Sequence, residues 1–387
     1  MTHPPSSVVI AVLASLGSLA VPFVVSGCSS GGSGSGTSLC PAKTAPADLP
    51  GLPGLPGTGT GTGTGTGAGT GGALTEVTTF GDNPGGLKMF VHAPPSGKAT
   101  AVVVAMHGCT QGASDYVSTG WNQVADKAGF AVVYPEQTTA NSFEKCFRWY
   151  DKGQITRGAG EASSIAAMTA YAKTQYGATH AYVTGLSAGA AMTAVMLATY
   201  PDVFEAGAIM AGLPYACATS QTDAYSCMSP GREKTPDEWA ALVPSVAGSS
   251  APRVSIWHGD ADYVVAPKNE TELVKQWTGV AKVPMTSPVT EMVGSIATHA
   301  QYKDSSGTVR VESWLVKGMS HGVALDPKSG CGTAGAYLLD EGVCSTVKAA
   351  AFFGLVAADG TPTTPGGSSG ASGSSGASGG TPGDCGP

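Results

Sequence analysis

The chain is short of charge. Its 387 residues hold 20 Lys and Arg against 27 Asp and Glu, a net charge of −7, and no basic stripe stands out, which argues against a nucleic-acid partner. Metal-holding spacings are missing too: there is no Cys-x-x-Cys pair and no His-Glu-x-x-His run. Large apolar side chains are scarce at both ends. From about Ser29 to Gly72 the chain is mostly Gly, Ser, Thr and Pro, and the segment from Thr361 to Pro387 repeats Gly-Ser-Ser-Gly-Ala. Such segments cannot bury enough apolar surface to offset the entropy of ordering them. Residues 29–73 are therefore expected to be a disordered tether and 360–387 a disordered tail, leaving 74–359 as one folded domain.

What the first residues do hold is "VVIAVLASLGSLAVPFVVSGC", an apolar run ending in small residues. It has the character of an export signal. Val25-Ser26-Gly27-Cys28 resembles a bacterial lipobox, which implies a signal peptide over 1–28 and a lipidated Cys28, although no Lys or Arg precedes the run. An ordinary secretory signal or an anchor helix are the alternatives, and Pro22 weakens the second. All three place the body outside the cytoplasm. Nine cysteines agree with an oxidising compartment. Closeness suggests the pairs Cys217 with Cys227 and Cys331 with Cys344, with Cys109 and Cys146 as a longer-range candidate; Cys40 and Cys385 are left over.

The body alternates short β-branched runs with longer helical segments, a pattern that predicts a mostly parallel central sheet with helices on both faces, an α/β fold. Strands are expected over 100–107, 129–136, 181–187, 206–212, 253–259 and 309–316. Between the second and third, Ile165, Met168 and Ala172 fall on one helical face. A further helix should start after Ser187 and stop at Pro201.

Strand, then Gly185-Leu186-Ser187-Ala188-Gly189, then helix is the layout of a nucleophile elbow. A serine hydroxyl needs a base to take its proton, and the base needs a carboxylate. Asp260 and Asp262 follow the strand "RVSIWHG", where sheet topology puts reactive groups. Asp262 is preferred, because His258-Gly259-x-x-Asp262 resembles the acid loop of α/β-hydrolases; Asp260 is the runner-up. His321 follows the last strand and is the expected base. His107 and His258 are better read as packed turn residues, and His299 as a surface or structural one. An oxyanion hole would take the backbone N–H of Ala188 and one from the loop "MHGCTQGASDY", Cys109 before Thr110.

With these residues in place, the chain resembles the poly(3-hydroxybutyrate) depolymerase family of esterases, related to bacterial feruloyl and acetylxylan esterases. The resemblance rests on "VVVAMHGCTQGASDY", "GWNQVADKAGFAVVYPEQ", "CFRWYD", "RGAGEASSIAAM", "YVTGLSAGAAMTAVMLATYPDVFEAGAIMAGLPYACA" and "WHGDADYVV", in that order, over roughly 76 to 355. It implies an α/β-hydrolase fold, ester hydrolysis without metal or organic cofactor, and Ser187, Asp262 and His321 as the triad. A substrate of short-chain hydroxyalkanoate polyester or oligomers is expected first and feruloyl or acetyl groups on polysaccharide second. A non-catalytic surface binding lipoprotein is the alternative from another class. Polymer depolymerases of this kind often carry a separate binding domain behind a linker, and residues 360–387 are not expected to form one. Aromatic residues in or beside active-edge loops, Tyr116, Trp149, Tyr150 and Tyr263, are candidates for an apolar substrate platform, whereas Trp121 is read as core.

Overall fold

Residues 74–244, 251–286 and 288–363 are described by a computed structural model. The expected signal segment with Cys28, the tether with Cys40 and most of the tail with Cys385 lie outside the described residues. In chain order the strands are β1 (Thr75–Val77), β2 (Lys88–His92), β3 (Ala101–Met106), β4 (Ala131–Glu136), β5 (His180–Leu186), β6 (Ala206–Met210), β7 (Arg253–Gly259), β8 (Val289–Val293), β9 (Ala297–Lys303), β10 (Val309–Val316), β11 (Val323–Leu325) and β12 (Leu338–Asp340). The first ten form one sheet in the order β1-β2-β4-β3-β5-β6-β7-β10-β9-β8. The inner six, β4 to β10 in that order, pair in parallel, while antiparallel partners flank them at both ends. β11 and β12 make a separate small parallel pair.

The six parallel strands are the six runs expected from the sequence, and burial on both faces is the reason that most of them lack polar alternation. In β3, Val102, Val104 and Met106 enter one core, and Ala101, Val103 and Ala105 the other. The helices are α1 (Ala113–Tyr116), α2 (Trp121–Ala128), α3 (Lys152–Ile155), α4 (Gly160–Tyr176), α5 (Ala188–Thr199), α6 (Gln221–Met228), α7 (Pro236–Ala240), α8 (Lys268–Ala281) and α9 (Ser345–Phe353). α4, α5, α7 and α8 cover the first core; α1, α2 and α9 cover the second. Ile165, Met168 and Ala172 of α4 are fully buried, each apolar side chain of that size contributing about 1.5–3 kcal/mol for Ile and Met. α5 stops at Thr199, two residues before Pro201. Backbone pairing runs past residue 359, through a bridge between Val356 and Pro362.

The expected cysteine pairings, Cys109–Cys146, Cys217–Cys227 and Cys331–Cys344, are all formed. His299 is buried inside the sheet rather than on the surface. In β9 it stacks on Trp314, ring centroids 3.9 Å apart, and its two ring nitrogens lie 2.9 Å from Glu291 and 2.9 Å from Glu312. Burial pushes its imidazole down, but hydrogen bonds and charge from Glu312 and Glu291 more than offset this and raise it above its ordinary value.

Candidate active site

Ser187 sits between β5 and α5 with φ 56° and ψ −116°, a backbone conformation that side-chain-bearing residues rarely adopt. Two glycines make the turn possible. A Cβ on Gly185 would stand 2.4 Å from Gly189 O, and one on Gly189 would stand 2.5 Å from both Met106 O and His107 O. α5 therefore packs on β5 and β3 at a separation that only bare backbone permits. Ser187 N–H donates to Met210 O at 3.0 Å, and Ala191 N–H to Ser187 O at 2.8 Å, which fixes the turn from both sides. The helix begins at the next residue, so its positive end faces any charge developing at Ser187.

Asp262 and His321 leave the same sheet edge, from the loops after β7 and β10. The loops are laced together: Asp260 N–H donates to Val316 O (3.0 Å), Ala261 N–H to Met319 O (3.1 Å) and Gly318 N–H to Asp260 Oδ1 (2.6 Å). Asp260 thus binds the backbone of the neighbouring loop, and it is Asp262 that meets the imidazole. His321 Nδ1 lies 2.7 Å from Asp262 Oδ2, while Asp262 Oδ1 accepts the N–H groups of Val264 and Val265, each at 2.9 Å. His258 packs behind the acid, its Nε2 donating to Val265 O at 2.8 Å and lying 3.4 Å from Asp262 Oδ2. Burial pushes the Asp262 carboxyl up, but the hydrogen bonds and charges of His258 and His321 prevail and hold it well below the usual carboxylate range. Ser187 Oγ makes no hydrogen bond to a protein group among the described residues, and none joins it to His321; the hydrogen bond within the site is the one between His321 and Asp262.

The loop after β3 supplies the other wall. Among the described residues neither Cys109 N–H nor Ala188 N–H has a hydrogen-bond acceptor in the protein. Thr110, at φ 66°, donates its own N–H to Glu144 O instead. A buried polar chain stiffens this loop. His107 is fully buried, with Nδ1 donating to Gly108 O (2.7 Å) and Nε2 accepting from Gln137 N–H (3.0 Å); burial lowers its pKa to about 4, so it stays neutral. Gln137 Nε2 donates to Glu161 Oε1 at 2.7 Å, and Glu161 also takes Arg148 N–H at 2.8 Å and Arg148 Nε at 3.1 Å. Burial raises the Glu161 carboxyl although Arg148 opposes it. Arg148 lies two residues from Cys146, whose disulfide to Cys109 closes the circuit.

The aromatic candidates divide. Tyr116 is buried at 1% exposure under the second core, so it offers no face to a substrate. Trp149 is 6% exposed and packs edge-on against half-buried Tyr150, ring centroids 5.6 Å apart, whereas Tyr263 is 72% exposed beside the acid. Trp121 is core. A residue that the sequence did not single out stands next to the imidazole: the Tyr337 ring meets that of His321 edge-on at 6.0 Å, from a backbone held at φ 61°. No motif or periodicity marks it, because it sits in a loop. Among the described residues no three His, Cys, Asp or Glu side chains are grouped to hold a metal ion.

Residues 88–284 match the family described as Esterase PHB depolymerase. The chain is 48% identical over 293 residues to poly(3-hydroxyalkanoate) depolymerase C of Paucimonas lemoignei, covering 73% of this chain and 70% of that protein. It is 36% identical over 269 residues to feruloyl esterase B of Talaromyces stipitatus, covering 66% and 73%. Among solved structures, an acetyl xylan esterase from Aspergillus awamori superposes with a TM-score of 0.59 at 30% identity, over 65% of this chain and 94% of that one. The chain has an α/β-hydrolase fold, and these relatives are by name esterases or depolymerases. On the match of residues 88–284 and the 48% identity together, the chain belongs to the Esterase PHB depolymerase family and is a carboxylic ester hydrolase.

Proposed function

We propose that the protein is an exported serine esterase that hydrolyses short-chain hydroxyalkanoate polyester or its oligomers through an acyl-enzyme. The observation carrying the substrate is the 48% identity to a poly(3-hydroxyalkanoate) depolymerase, against 36% to a feruloyl esterase. In the mechanism, His321 Nδ1–H stays bonded to Asp262, which leaves Nε2 to take the Ser187 proton as Oγ attacks the ester carbonyl. Asp262, whose carboxyl is held ionised, orients the ring and stabilises the imidazolium. The free N–H groups of Cys109 and Ala188 receive the developing oxyanion. His321 then protonates the leaving alcohol, and a water molecule repeats the sequence on the acyl-Ser187 ester. Tyr263 and the open face of Tyr150 lie against the substrate chain, with Trp149 packed behind Tyr150.

Export is supported by three disulfides, which belong to an oxidising compartment. Lipidation at Cys28 would then anchor the enzyme to the cell envelope, with 29–73 linking the anchor to a catalytic domain that runs from 74 past 359, through the bridge between Val356 and Pro362. A second reading, removal of acetyl or feruloyl groups from polysaccharide, draws on the acetyl xylan esterase structure. Release of soluble 3-hydroxybutyrate from amorphous poly(3-hydroxybutyrate), with Ser187→Ala protein as the blank, tests the first reading. Release that disappears in the variant is expected; intact hydrolysis of a small soluble ester without any release from polymer would move the substrate to the second.

A further inference from the structure

A groove of about 270 Å³ is lined in part by Tyr337, the residue whose ring meets that of His321 edge-on. One wall is Thr110, Gln111, Asp115 and Ser118, which follow Cys109; the other is Thr333 to Leu338, with Tyr337 against His321. The walls are fastened to each other. Gln111 Nε2 donates to Ala336 O at 3.4 Å, Thr333 N–H donates to Ser118 O at 2.8 Å, and the Cys331–Cys344 disulfide closes the second loop. The volume is below the roughly 300–1,000 Å³ of sites that enclose a whole drug-sized ligand. It suits one segment of a longer molecule.

The lining is rich in hydroxyl and amide groups: Thr110, Gln111, Ser118, Thr333 and the Tyr337 phenol. Asp115 is the carboxylate among the described residues lining the groove, and no Lys, Arg or His accompanies it there. Its Oδ2 accepts Gly112 N–H at 2.8 Å, which leaves Oδ1 with no protein partner. A second carboxylate, Glu136, accepts the next backbone N–H, that of Ala113, at 2.8 Å. Two carboxylates thus hold the Gly112–Ala113 turn, and the cation of Lys145 lies outside the lining. An incoming hydroxyl finds acceptors, and an incoming carboxylate meets a like charge that nothing in the lining neutralises.

We propose that this groove is a subsite for a neutral, hydroxyl-bearing segment of the substrate, and that Asp115 makes it reject a free carboxylate. The proposal rests on the esterase reading of the neighbouring Ser187 and His321. It makes the enzyme favour ester bonds whose flanking unit is uncharged over bonds next to an acid terminus.

The test uses a 3-hydroxybutyrate trimer as the free acid and as its methyl ester, with 4-nitrophenyl butyrate as a small reference ester. The wild-type enzyme is expected to prefer the methyl ester in kcat/KM by about fivefold at low ionic strength, a preference that shrinks as salt is added. In Asp115→Asn the preference should collapse, with kcat/KM on the free acid rising relative to that on the methyl ester. The Asn carbonyl still accepts Gly112 N–H, so the turn is kept. Both trimers cut equally well by both proteins would overturn the subsite and leave the polyester reading standing. If neither trimer is cut, each is tested as a competitor of the reference ester. Stronger competition by the methyl ester that Asp115→Asn abolishes would support the subsite and remove the polyester reading; no competition by either would remove both.

Discussion

His321 and Asp262 are 59 residues apart in sequence and 2.7 Å apart in space, joined through Nδ1 and Oδ2. The acid does not rely on the imidazole for its placement: two backbone N–H groups, from Val264 and Val265, grip its other oxygen. Asp262→Asn should therefore keep the loop in place while offering His321 Nδ1 an amide, which permits the wrong tautomer. The expected loss in kcat is about 10⁴-fold with little change in KM. A loss under tenfold would show that ester hydrolysis does not run through this pair.

The same carboxyl makes a pH prediction. Its folded value lies below its ordinary 3.8, so the stability it contributes is fully present above that value and is lost as pH falls through the folded one. The stability gap between wild type and Asp262→Asn, read by urea unfolding, should be constant near neutrality and narrow on acidification below about 4. A gap that widens there would reverse the sign.

His299 works in the opposite direction. Its folded value is raised, so its contribution is complete below the ordinary 6.5 and disappears as pH climbs through the higher folded value. Melting temperature should decline on that alkaline side in the wild type, and the decline should flatten in His299→Asn. Equal declines would mean that the imidazole between Glu291 and Glu312 is already neutral.

Gly189→Ala places a methyl 2.5 Å from Met106 O and His107 O, where backbone must move to admit it. A destabilisation of about 1–3 kcal/mol is expected, together with lost activity at temperatures where the variant is still folded, because α5 carries Ala188 and the elbow with it. Full activity in folded Gly189→Ala protein would show that the contact can relax without moving Ser187.

The Cys109–Cys146 bond closes a loop with a sequence separation of 37. Replacing both by Ser leaves the residue 109 N–H in place and removes only the constraint. Stability should fall by about 2–4 kcal/mol, and kcat on a soluble ester should fall more than KM rises. Unchanged kcat would place the oxyanion contact elsewhere.

Much of this architecture was readable from residues. The six central strands announced themselves because strands buried on both faces are rich in apolar residues, even though β10 also carries Arg310 and Glu312. Ser187 was legible for a related reason: Gly185 and Gly189 flank it where strand and helix touch through backbone. The outer strands were not. β8 and β9, "VTEMV" and "ATHAQYK", mix polar and apolar residues at the sheet margin, and β11 and β12 hold three residues each. Tyr116 was misplaced because a short helix folds its loop inward and buries the ring. Tyr337 left no trace, since a position set by a disulfide and a positive φ has no hydrophobic period. Between the surface and the structural role open to His299 the sequence could not choose, because its partners, Glu291 and Glu312, are brought beside it by strand pairing that local sequence does not reveal.

The three disulfides share a property that none shows alone. Cys109–Cys146 fastens the loop after β3, Cys217–Cys227 fastens the chain after β6, and Cys331–Cys344 fastens the chain after β11. Not one crosses the parallel sheet. Among the described residues the sheet is left to apolar packing, and covalent restraint falls on connections outside its strands. The three bonds thus make the set of the loops around the sheet answerable to redox conditions, while the sheet itself is held by apolar packing that a reductant does not touch.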